Sequence, residues 1–407
     1  MTTTPQLLPY LERLLDGETV EWKTLGEICE KVCSGGTPLT SHSKYYEGNI
    51  PWLRTQDIDW QEVHDTEIKI TEEAIANSSA KLIPKNCVIV AMYGATAAKA
   101  CINKIPLTTN QACCNLQIDE KQAHYKYAYY WICNEYERLR AQGEGSQSNL
   151  NAKKIKSYPI PVPPLRVQAR IVDILDKFTQ LEAELEAELE ARKKQYAYYR
   201  DQLLKFSQCP PLNVNIEWKT LGEVAEYVRQ RVAVDQLCAQ TYVGVDNLLP
   251  NRAGKQDSNY LPTEGNAIAY QPNDILIGNI RPYLKKIWKA DNEGGASGDV
   301  LVVRIKNSLL TPGYLYHLLA DDRFFSYDMQ HAKGAKMPRG NKEKILDYVL
   351  PLPPLSEQRR IVEILDRFDT LTNSISEGLP REIALRRKQY EYYRDALLRF
   401  PPPAPTA

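Results

Sequence analysis

The chain has 407 residues, with 51 basic and 51 acidic side chains and therefore a formal net charge of zero. This length predicts two or more domains, and a balanced charge neither requires nor excludes nucleic acid, because phosphate binding depends on a local basic surface. No stretch approaches the ~20 consecutive apolar residues of a membrane span, and the N-terminus lacks a signal-peptide pattern, so we expect a cytoplasmic protein without a membrane partner.

Three segments occur twice, in the same order, about half the chain apart. The pairs are VEWKTLGEI (20–28) with IEWKTLGEV (216–224), IPVPPLRVQARIVDILDKFTQL (160–181) with LPLPPLSEQRRIVEILDRFDTL (350–371), and RKKQYAYYRDQLLKF (192–206) with RRKQYEYYRDALLRF (386–400). The inserts between them, 29–157 and 225–347, share little sequence. A repeated frame with unlike inserts predicts one architecture that presents two different surfaces.

Both inserts have an α/β composition. Runs typical of strands occupy 87–92, 113–118, 274–280 and 300–305, and helices are predicted at 120–140 and 312–330. Each insert ends in a glycine-containing polar loop, at 143–154 and 332–344.

The second repeated segment opens a long helix in each copy, the first running from Arg166 to Phe206. Its apolar residues are spaced by alternating steps of three and four: Ile171, Ile174, Phe178, Leu181 and Leu185, then Ile361, Ile364, Phe368, Leu371 and Ile375. This stripe predicts that the two helices pack as an antiparallel coiled coil, although each stripe could instead cover only its own domain. The second helix contains SEGLPRE (376–382), where Gly378 and Pro380 should break or kink it.

The sequence therefore predicts an α+β fold with an internal two-fold repeat, in which two α/β domains are separated by two long antiparallel coiled-coil helices. The predicted boundaries are 1–159 for the N-terminal segment and first domain, 160–210 for the first helical region, 211–349 for the second domain and 350–407 for the second helical region.

Catalytic motifs are missing from the sequence. There is no Asn/Asp-Pro-Pro-aromatic motif of an adenine methyltransferase, no GxxxxGK[ST] loop, and no nucleophile elbow. Histidines 42, 64, 124, 317 and 331 form no pair at ligand spacing, and Asp65–Lys69 holds a Glu-x-Lys triplet of a kind that arises by chance. Nine irregularly spaced cysteines predict reduced thiols, and nothing completes a zinc site around Cys29 and Cys33. By itself the chain is predicted to be non-catalytic and to hold no metal.

Basic and aromatic residues cluster in loops of both inserts. The clusters are 43–58 in the first insert, and 279–289 with the exit loop 332–344 in the second. Each such residue alone is most simply part of a solvated face. Collected in both inserts, they favour DNA contact, since Arg, Lys, Asn and Gln read base edges while Lys also holds phosphates.

The whole pattern resembles the specificity (S) subunit of type I restriction–modification enzymes. The resemblance covers nearly the whole chain and rests on the order of VEWKTLGEI, the 34–58 block, AMYGATAAKA (91–100), the Pro-Pro helix entries, DILIGNIRPYLKK (274–286) and SGDVLVVRI (297–305). It implies that each insert is a target recognition domain reading one half of a split, asymmetric double-stranded DNA sequence.

The resemblance also implies partners. The helices would set the spacing and dock two methyltransferase (M) subunits, through which restriction/translocation (R) subunits join. S-adenosylmethionine, ATP and Mg²⁺ would act on those partner subunits, with no cofactor on this chain. The alternative is a stand-alone or orphan DNA-binding or scaffold protein of the same fold.

The family's blocks suggest which loop residues contact DNA. These positions are Thr37, Lys44, Tyr45, Trp52, Arg54, Tyr93, Lys99 and Asn149 in the first insert, and Arg281, Tyr283, Lys285, Lys286, Lys336 and Arg339 in the second. Trp52 could equally belong to the core. Gly35, Gly36 and Gly94 are expected to set tight turns rather than to touch DNA.

Overall fold

The computed structural model describes residues 9–143, 149–206, 216–374 and 377–401. The chain divides into two compact units: unit 1 comprises Met1–Glu184 with Ala384–Ala407, and unit 2 comprises Leu185–Ile383. Each unit therefore combines one predicted recognition domain with parts of both predicted helical regions. Cys209, Ile375 and Ser376, which the sequence predictions involve, lie outside the described residues.

The described part of unit 1 contains ten strands and the helices around them. The strands are β1 (Glu21–Thr24), β2 (Cys29–Ser34), β3 (Ile50–Leu53), β4 (Glu62–Val63), β5 (Lys69–Ile70), β6 (Val88–Ala91), β7 (Ala100–Asn103), β8 (Thr108–Thr109), β9 (Cys113–Ile118) and β10 (Pro159–Val162). The helices that begin in this unit are α1 (Pro9–Leu15), α2 (Glu72–Ala76), α3 (Tyr125–Asn134), α4 (Tyr136–Ala141), α5 (Ala152–Lys156) and α6 (Leu165–Leu204).

The main sheet of unit 1 has the strand order β2-β9-β6-β7-β4, and a smaller sheet has the order β5-β3-β8. Every residue of β6 is buried, because its alternating side chains enter two different cores. Val88 and Val90 join the cluster that contains α3, whereas Ile89 and Ala91 join a second cluster on the opposite face. The sheet is thus covered on both faces, which explains its continuous apolar strands.

Unit 2 repeats this plan with different residues. Its strands are β11 (Glu217–Thr220), β12 (Ala225–Tyr227), β13 (Arg231–Ala233), β14 (Tyr242–Val243), β15 (Asn266–Tyr270), β16 (Ile275–Gly278), β17 (Ile287–Lys289), β18 (Gly294–Ala296), β19 (Val300–Ile305) and β20 (Val349–Leu352). Its helices are α7 (Leu221–Val224), α8 (Pro312–Leu319), α9 (Asp322–His331), α10 (Lys342–Leu346) and α11 (Leu355–Asn373), followed by α12 (Gly378–Leu397), which continues into unit 1. The order β12-β19-β16-β17 matches β2-β9-β6-β7 of unit 1.

The first two repeated segments pair with each other at the base of each insert. In unit 1, β1 and β10 are antiparallel, with Trp22 opposite Pro161. In unit 2, β11 and β20 are antiparallel, with Trp218 opposite Pro351. Each recognition domain therefore begins and ends at the same two-stranded sheet, a pairing that the sequence analysis did not anticipate.

Both predicted insert helices are interrupted. The segment predicted at 120–140 forms α3 and α4, and the segment predicted at 312–330 forms α8 and α9. Asp321 explains the second interruption, because its carboxylate accepts a hydrogen bond from Arg323 N at 2.9 Å and so caps a new helix.

The long helices are confirmed, with a difference between the copies. The first repeat forms one 40-residue helix, α6, whereas the second forms α11 and α12. Helix α11 ends at Asn373, and Gly378, at the start of α12, has a φ of +73° that favours glycine. The break predicted at SEGLPRE is therefore confirmed, although Ser376 of that stretch lies outside the described residues.

The helices pair in the antiparallel sense within each unit. In unit 1, Phe178 of α6 stacks on Tyr393 of α12 with ring centroids 5.4 Å apart. In unit 2, Tyr196 and Tyr199 of α6 stack on Phe368 of α11 at 5.9 and 5.6 Å. Coiled-coil pairing is thus confirmed over the alternative in which each stripe covers only its own domain.

The third repeated segment packs into the core of the other copy's recognition domain. Leu397, Leu398 and Phe400 belong to the core of unit 1, together with α3 and the β6 sheet. Tyr196, Leu204 and Phe206 belong to the core of unit 2, together with α8 and β16. Each unit is consequently built from both repeats.

Candidate DNA interface and partner surface

In unit 1, the loop between β6 and β7 meets the loop that leaves the recognition domain. Leu150 N donates a hydrogen bond to Met92 O at 2.8 Å, which brings the chain around Asn149 close to the chain around Tyr93. Asn149 is exposed and Tyr93 is 42% exposed. Gly94 follows with a φ of +81°, so the tight turn expected there is confirmed.

The segment around Gly35 and Gly36 packs closely against neighbouring backbone. A Cβ on Gly35 would lie 1.9 Å from Thr109 O, and a Cβ on Gly36 would lie 2.3 Å from Ala80 N. Neither glycine has a positive φ. The expected tight turns are therefore wrong for these two residues, which instead permit close backbone approach.

Trp52 lies inside the core, which was the alternative left open for it. Its side chain is 5% exposed, and its indole Nε1 donates to Gly36 O at 3.0 Å. Thr37, by contrast, is partly exposed, and its hydroxyl hydrogen-bonds the Gln111 side chain. Trp52 thus holds the backbone that presents Thr37.

The predicted cations of unit 1 differ in their surroundings. Lys44 is exposed, on a short 3₁₀ turn that also carries Tyr45. Arg54 bonds Asp57 through Nε and Nη2, both at 3.0 Å, and these bonds raise the pKa of the guanidinium. Lys99 Nζ lies 2.5 Å from Asp59 Oδ1. Arg54 and Lys99 are therefore engaged with carboxylates, whereas Lys44 points to solvent.

In unit 2, the equivalent two loops also lie side by side. Arg281 N donates to Pro338 O at 2.7 Å, and Gly340 N donates to Asn279 O at 3.0 Å. The exposed side chains on these loops include Arg281, Tyr283, Lys333, Lys336, Met337 and Arg339. The sequence-predicted residues from two distant segments therefore form one basic surface.

Two neighbouring lysines of unit 2 have structural partners. Lys286 is 8% exposed, and its Nζ donates to Val245 O at 2.7 Å, so it is not part of the exposed surface. Lys285 Nζ lies 2.7 Å from Asp322 Oδ1. Arg281 and Lys285 both have left-handed backbone, with φ of 53° and 52°, and they bracket the 3₁₀ turn Pro282–Leu284.

The loop that leaves each recognition domain is followed by a helix capped in the same way. Asn151 Oδ1 accepts from Lys154 N at 2.9 Å, and Asn341 Oδ1 accepts from Glu343 N at 3.2 Å. These asparagines, each directly before a short Lys-containing helix, are the sequence signal that matches the two loops. The two glycine-containing polar loops predicted at the ends of the inserts therefore occupy equivalent places, although their sequences before the capping asparagine differ.

Among the described residues, no group of three or more His, Cys, Asp or Glu side chains is placed to hold a metal ion. Burial raises the pKa of the Cys29, Cys87 and Cys114 thiols to about 12, which keeps them protonated. Asp65 and Lys69 of the Glu-x-Lys stretch form a surface ion pair at 3.1 Å. In the described part of the chain, no helix is long and apolar enough to cross a bilayer.

The third repeated segment presents the same pair of tyrosines twice. In unit 2, Tyr198 is 62% and Tyr199 41% exposed, with ring centroids 5.6 Å apart in an edge arrangement. In unit 1, Tyr392 is 65% and Tyr393 40% exposed, with centroids 5.4 Å apart in the same arrangement. We call these the tyrosine pairs. The two pairs are alike in exposure and geometry, whereas the candidate DNA-binding loops of the two units carry different side chains.

Comparisons with known proteins agree on one family. A family model described as the type I restriction modification DNA specificity domain matches the chain twice, over residues 17–191 and 213–385. The Escherichia coli type I restriction enzyme EcoR124I/EcoR124II specificity subunit is 34% identical over 419 residues, covering 97% of this chain and 98% of that protein. A putative type I restriction enzyme specificity subunit from Haemophilus influenzae is 31% identical over 410 residues, covering 96% and 98%.

Solved structures share the fold. The S subunit of a type I restriction–modification system from M. genitalium superposes with a TM-score of 0.58 at 16% identity, over 94% of this chain and 98% of that one. A chain solved in work on complex assembly and conformational transition of the type I system gives 0.59 at 16% identity, over 97% and 99%. With the family model matched in both halves and relatives alike over their whole length, the chain belongs to the specificity subunits of type I restriction–modification systems.

Proposed function

We propose that this chain is the non-catalytic DNA-reading subunit of a type I restriction–modification complex, in which each unit reads one half of a split, asymmetric target. The observation that carries the proposal is a contrast within the molecule. The paired loops of the two units occupy equivalent places but carry different side chains, and the tyrosine pairs occupy equivalent places with the same side chains. Different loops suit different half-sites, and identical surfaces suit two copies of one partner.

The DNA-contacting residues of the proposal are the predicted ones that are exposed or, like Thr37 and Tyr45, partly exposed. In unit 1 these are Thr37, Lys44, Tyr45, Tyr93 and Asn149, and in unit 2 they are Arg281, Tyr283, Lys336 and Arg339. Arg and Asn side chains at such positions suit bidentate contacts to guanine and adenine, and Lys suits phosphate. Arg54, Lys99, Lys285 and Arg339, which pairs with Asp299 at 3.4 Å, reach DNA only by exchanging a carboxylate for a DNA group. Trp52 and Lys286 are buried and stabilise the backbone that presents the exposed residues.

The tyrosine pairs are the proposed docking sites for two M subunits. Partly exposed aromatic side chains that are already packed against a neighbour lose little conformational entropy on binding. In other protein–protein interfaces, aromatic residues contribute much of the binding free energy. R subunits join the complex by binding the M subunits. S-adenosylmethionine, ATP and Mg²⁺ bind to these partner subunits.

A base-resolution methylome of the host, with and without the gene, tests the function. We expect adenine methylation at one split motif to disappear when the gene is deleted and to return with a plasmid copy. Unchanged methylation at every motif contradicts the proposal in a host that carries no second S subunit.

Co-purification separates this role from that of a stand-alone DNA-binding or scaffold protein. Two M subunits per chain support the proposal. A lone chain with full sequence-specific binding supports the stand-alone reading.

The spacing function has its own test. Inserting four residues near Glu184–Glu188 adds about one helical turn, or ~5.4 Å, to α6, comparable to one or two base pairs at ~3.4 Å each. The DNA spacer should lengthen while both half-sites stay the same. A change of recognised bases at constant spacing contradicts the role of the helices.

A further inference from the structure

A buried glutamine joins each recognition domain to its spacer helix. Gln168 lies in the first turn of α6 and Gln358 in the first turn of α11, and both are 0% exposed. A buried amide must find partners for its donors and its acceptor. The partners show what each glutamine holds.

The two glutamines make the same three contacts. Gln168 Oε1 accepts from His124 N at 2.9 Å, and its Nε2 donates to Pro163 O at 2.7 Å and to Gln122 O at 3.3 Å. In unit 2, the partners of Gln358 are Thr311 N at 2.9 Å, Pro353 O at 2.9 Å and Leu309 O at 2.8 Å. Each amide therefore ties the Pro-Pro helix entry to the residue that caps a recognition-domain helix, α3 or α8.

A second contact lies eight residues further along each spacer helix, about 12 Å away at 1.5 Å per residue. In unit 1, Asp176 accepts from Lys126 Nζ at 2.8 Å and from Tyr130 OH at 2.6 Å. In unit 2, Asp366 Oδ1 lies 2.7 Å from His317 Nε2. Two points of attachment on one helix fix both the position and the direction of the other helix.

The attached helices carry the DNA-facing loops. Helix α3 shares a core with β6, whose following loop holds Tyr93, and α8 shares a core with β16, whose following loop holds Arg281. A rotation of α3 or α8 on its spacer helix would therefore move the reading loops along the DNA. Adjacent base pairs differ by about 3.4 Å in position and roughly a tenth of a turn in direction, so even a small rotation changes the register.

We propose that Gln168 and Gln358 are positioning residues that set the length of the DNA spacer, by fixing the angle at which each recognition domain leaves its spacer helix. This inference rests on the proposed function and adds to it the residues that enforce spacing. Neither glutamine touches DNA. Their loss should relax the spacing while leaving the bases of both half-sites unchanged.

In the test, the gene in the host is changed to encode Gln168→Leu or, as the matched control, Gln180→Leu, and the methylome of each strain is determined. Gln180 is an exposed residue of the same helix whose amide bonds only Glu184 at 2.8 Å among the hydrogen bonds described. We expect the preference for the native spacer over one longer or shorter by a base pair to fall about tenfold in Gln168→Leu, equivalent to ~1.4 kcal/mol. Gln180→Leu should keep the native profile. Gln358→Leu should relax spacing in the same way.

A variant that retains the shape of the amide guards against simple misfolding. In Gln168→Glu, only the protonated carboxyl can both accept from His124 N and donate to one of the two carbonyls, and burial disfavours the charged form, so lowering the pH restores part of the contact set. Purified methyltransferase complexes of this variant should be relaxed in spacing at pH 8 and regain selectivity at pH 6, relative to wild type at the same pH. A mutation that only destabilised the fold would not restore spacing on acidification.

The outcomes separate this inference from the proposed function. A wild-type chain that directs no methylation of a split motif overturns the proposed function. If wild type directs it, a folded Gln168→Leu chain with an unchanged spacing profile overturns the role of the glutamine, as does loss of all methylation in a folded chain. If Gln168→Leu does not fold, Gln168→Glu decides, and spacing that is independent of pH overturns the inference.

Discussion

The exchange of helix ends between the repeats makes a prediction that runs against sequence order. Leu398 belongs to the second repeat but is 1% exposed in the core of unit 1, and its counterpart Leu204 belongs to the first repeat but is 3% exposed in the core of unit 2. Leu398→Ala should therefore destabilise unit 1, and Leu204→Ala should destabilise unit 2. Reasoning from proximity in the chain predicts the reverse.

The magnitude follows from burial. Truncating a fully buried leucine to alanine costs about 2–5 kcal/mol, from lost transfer free energy and the cavity that remains. Leu204 is the last residue of α6 and Leu398 directly follows the last residue of α12, positions where the chain can relax, so we expect about 3 kcal/mol for each. Since 1.36 kcal/mol is a factor of ten, the opened form of the affected unit becomes about 100-fold more populated.

Hydrogen–deuterium exchange with mass spectrometry reads the two units separately. In Leu398→Ala, peptides from β6, β9 and α3 should lose protection, while peptides from β16, β19 and α8 change little. Leu204→Ala should give the converse pattern. Leu385→Ala, at a 38% exposed position of α12 in unit 1, is the control and should change protection by less than ~0.5 kcal/mol. Faster exchange of unit 2 alone in Leu398→Ala would refute the assignment of this helix end to unit 1.

Three further predictions concern charge, docking and pH. Lys336→Ala, which removes one exposed cation from the unit 2 loops, should weaken binding of all DNA sequences alike and reduce the slope of log K against log salt concentration by about 0.9. The control is Lys121→Ala, which removes another exposed lysine and should leave the slope unchanged. A loss of affinity that depends on the identity of one base would contradict a phosphate contact. Tyr198→Ala or Tyr392→Ala alone should reduce the stoichiometry from two M subunits per chain to one, and the double variant should form no complex with M, as measured by native mass spectrometry. If the double variant retained two M subunits, the M subunits would dock at another surface. Burial lowers the pKa of His317 below its ordinary value, although the nearby carboxylate of Asp366 raises it. Between the lowered pKa of the folded chain and the ordinary pKa of the unfolded chain, the unfolded chain therefore binds more protons. Unit 2 should lose stability as pH falls below about 6.5, by at most ~1.4 kcal/mol per pH unit. Burial raises the pKa of Asp328 to about 6, which makes stability rise as pH falls and so opposes the effect of His317. The quantity to measure is therefore the urea midpoint of wild type minus that of His317→Gln at each pH. A difference that does not change with pH would contradict the role of His317.

The frame could be read from the sequence because its signals are local and repeated. The heptad stripe predicted α6 and its antiparallel partner, and Gly378 marked the break before α12. Strands at Cys113–Ile118 and Val300–Ile305 coincide with the predicted runs, because both are mostly buried and rich in the apolar residues typical of strands.

Other features depend on contacts that sequence spacing does not encode. The stripe gives the pairing of the helices, but only the core shows that Leu398 packs on the recognition domain of the first repeat. The candidate DNA residues divide according to partners distant in sequence. Lys286 is bound by Val245 O and Trp52 by Gly36 O, whereas Lys336 remains exposed. Residue type alone could not distinguish these cases.

The two-stranded sheet at the base of each insert has a consequence for how such proteins acquire new targets. Thr24 lies opposite Pro159, and Thr220 lies opposite Val349, so the chain enters and leaves each recognition domain at adjacent points. An exchanged gene segment whose product has neighbouring termini can therefore be accommodated without moving the helices. Under the proposed function, exchange at the edges of this two-stranded sheet would replace the domain that reads one half of the target and leave the helices and the other domain unchanged.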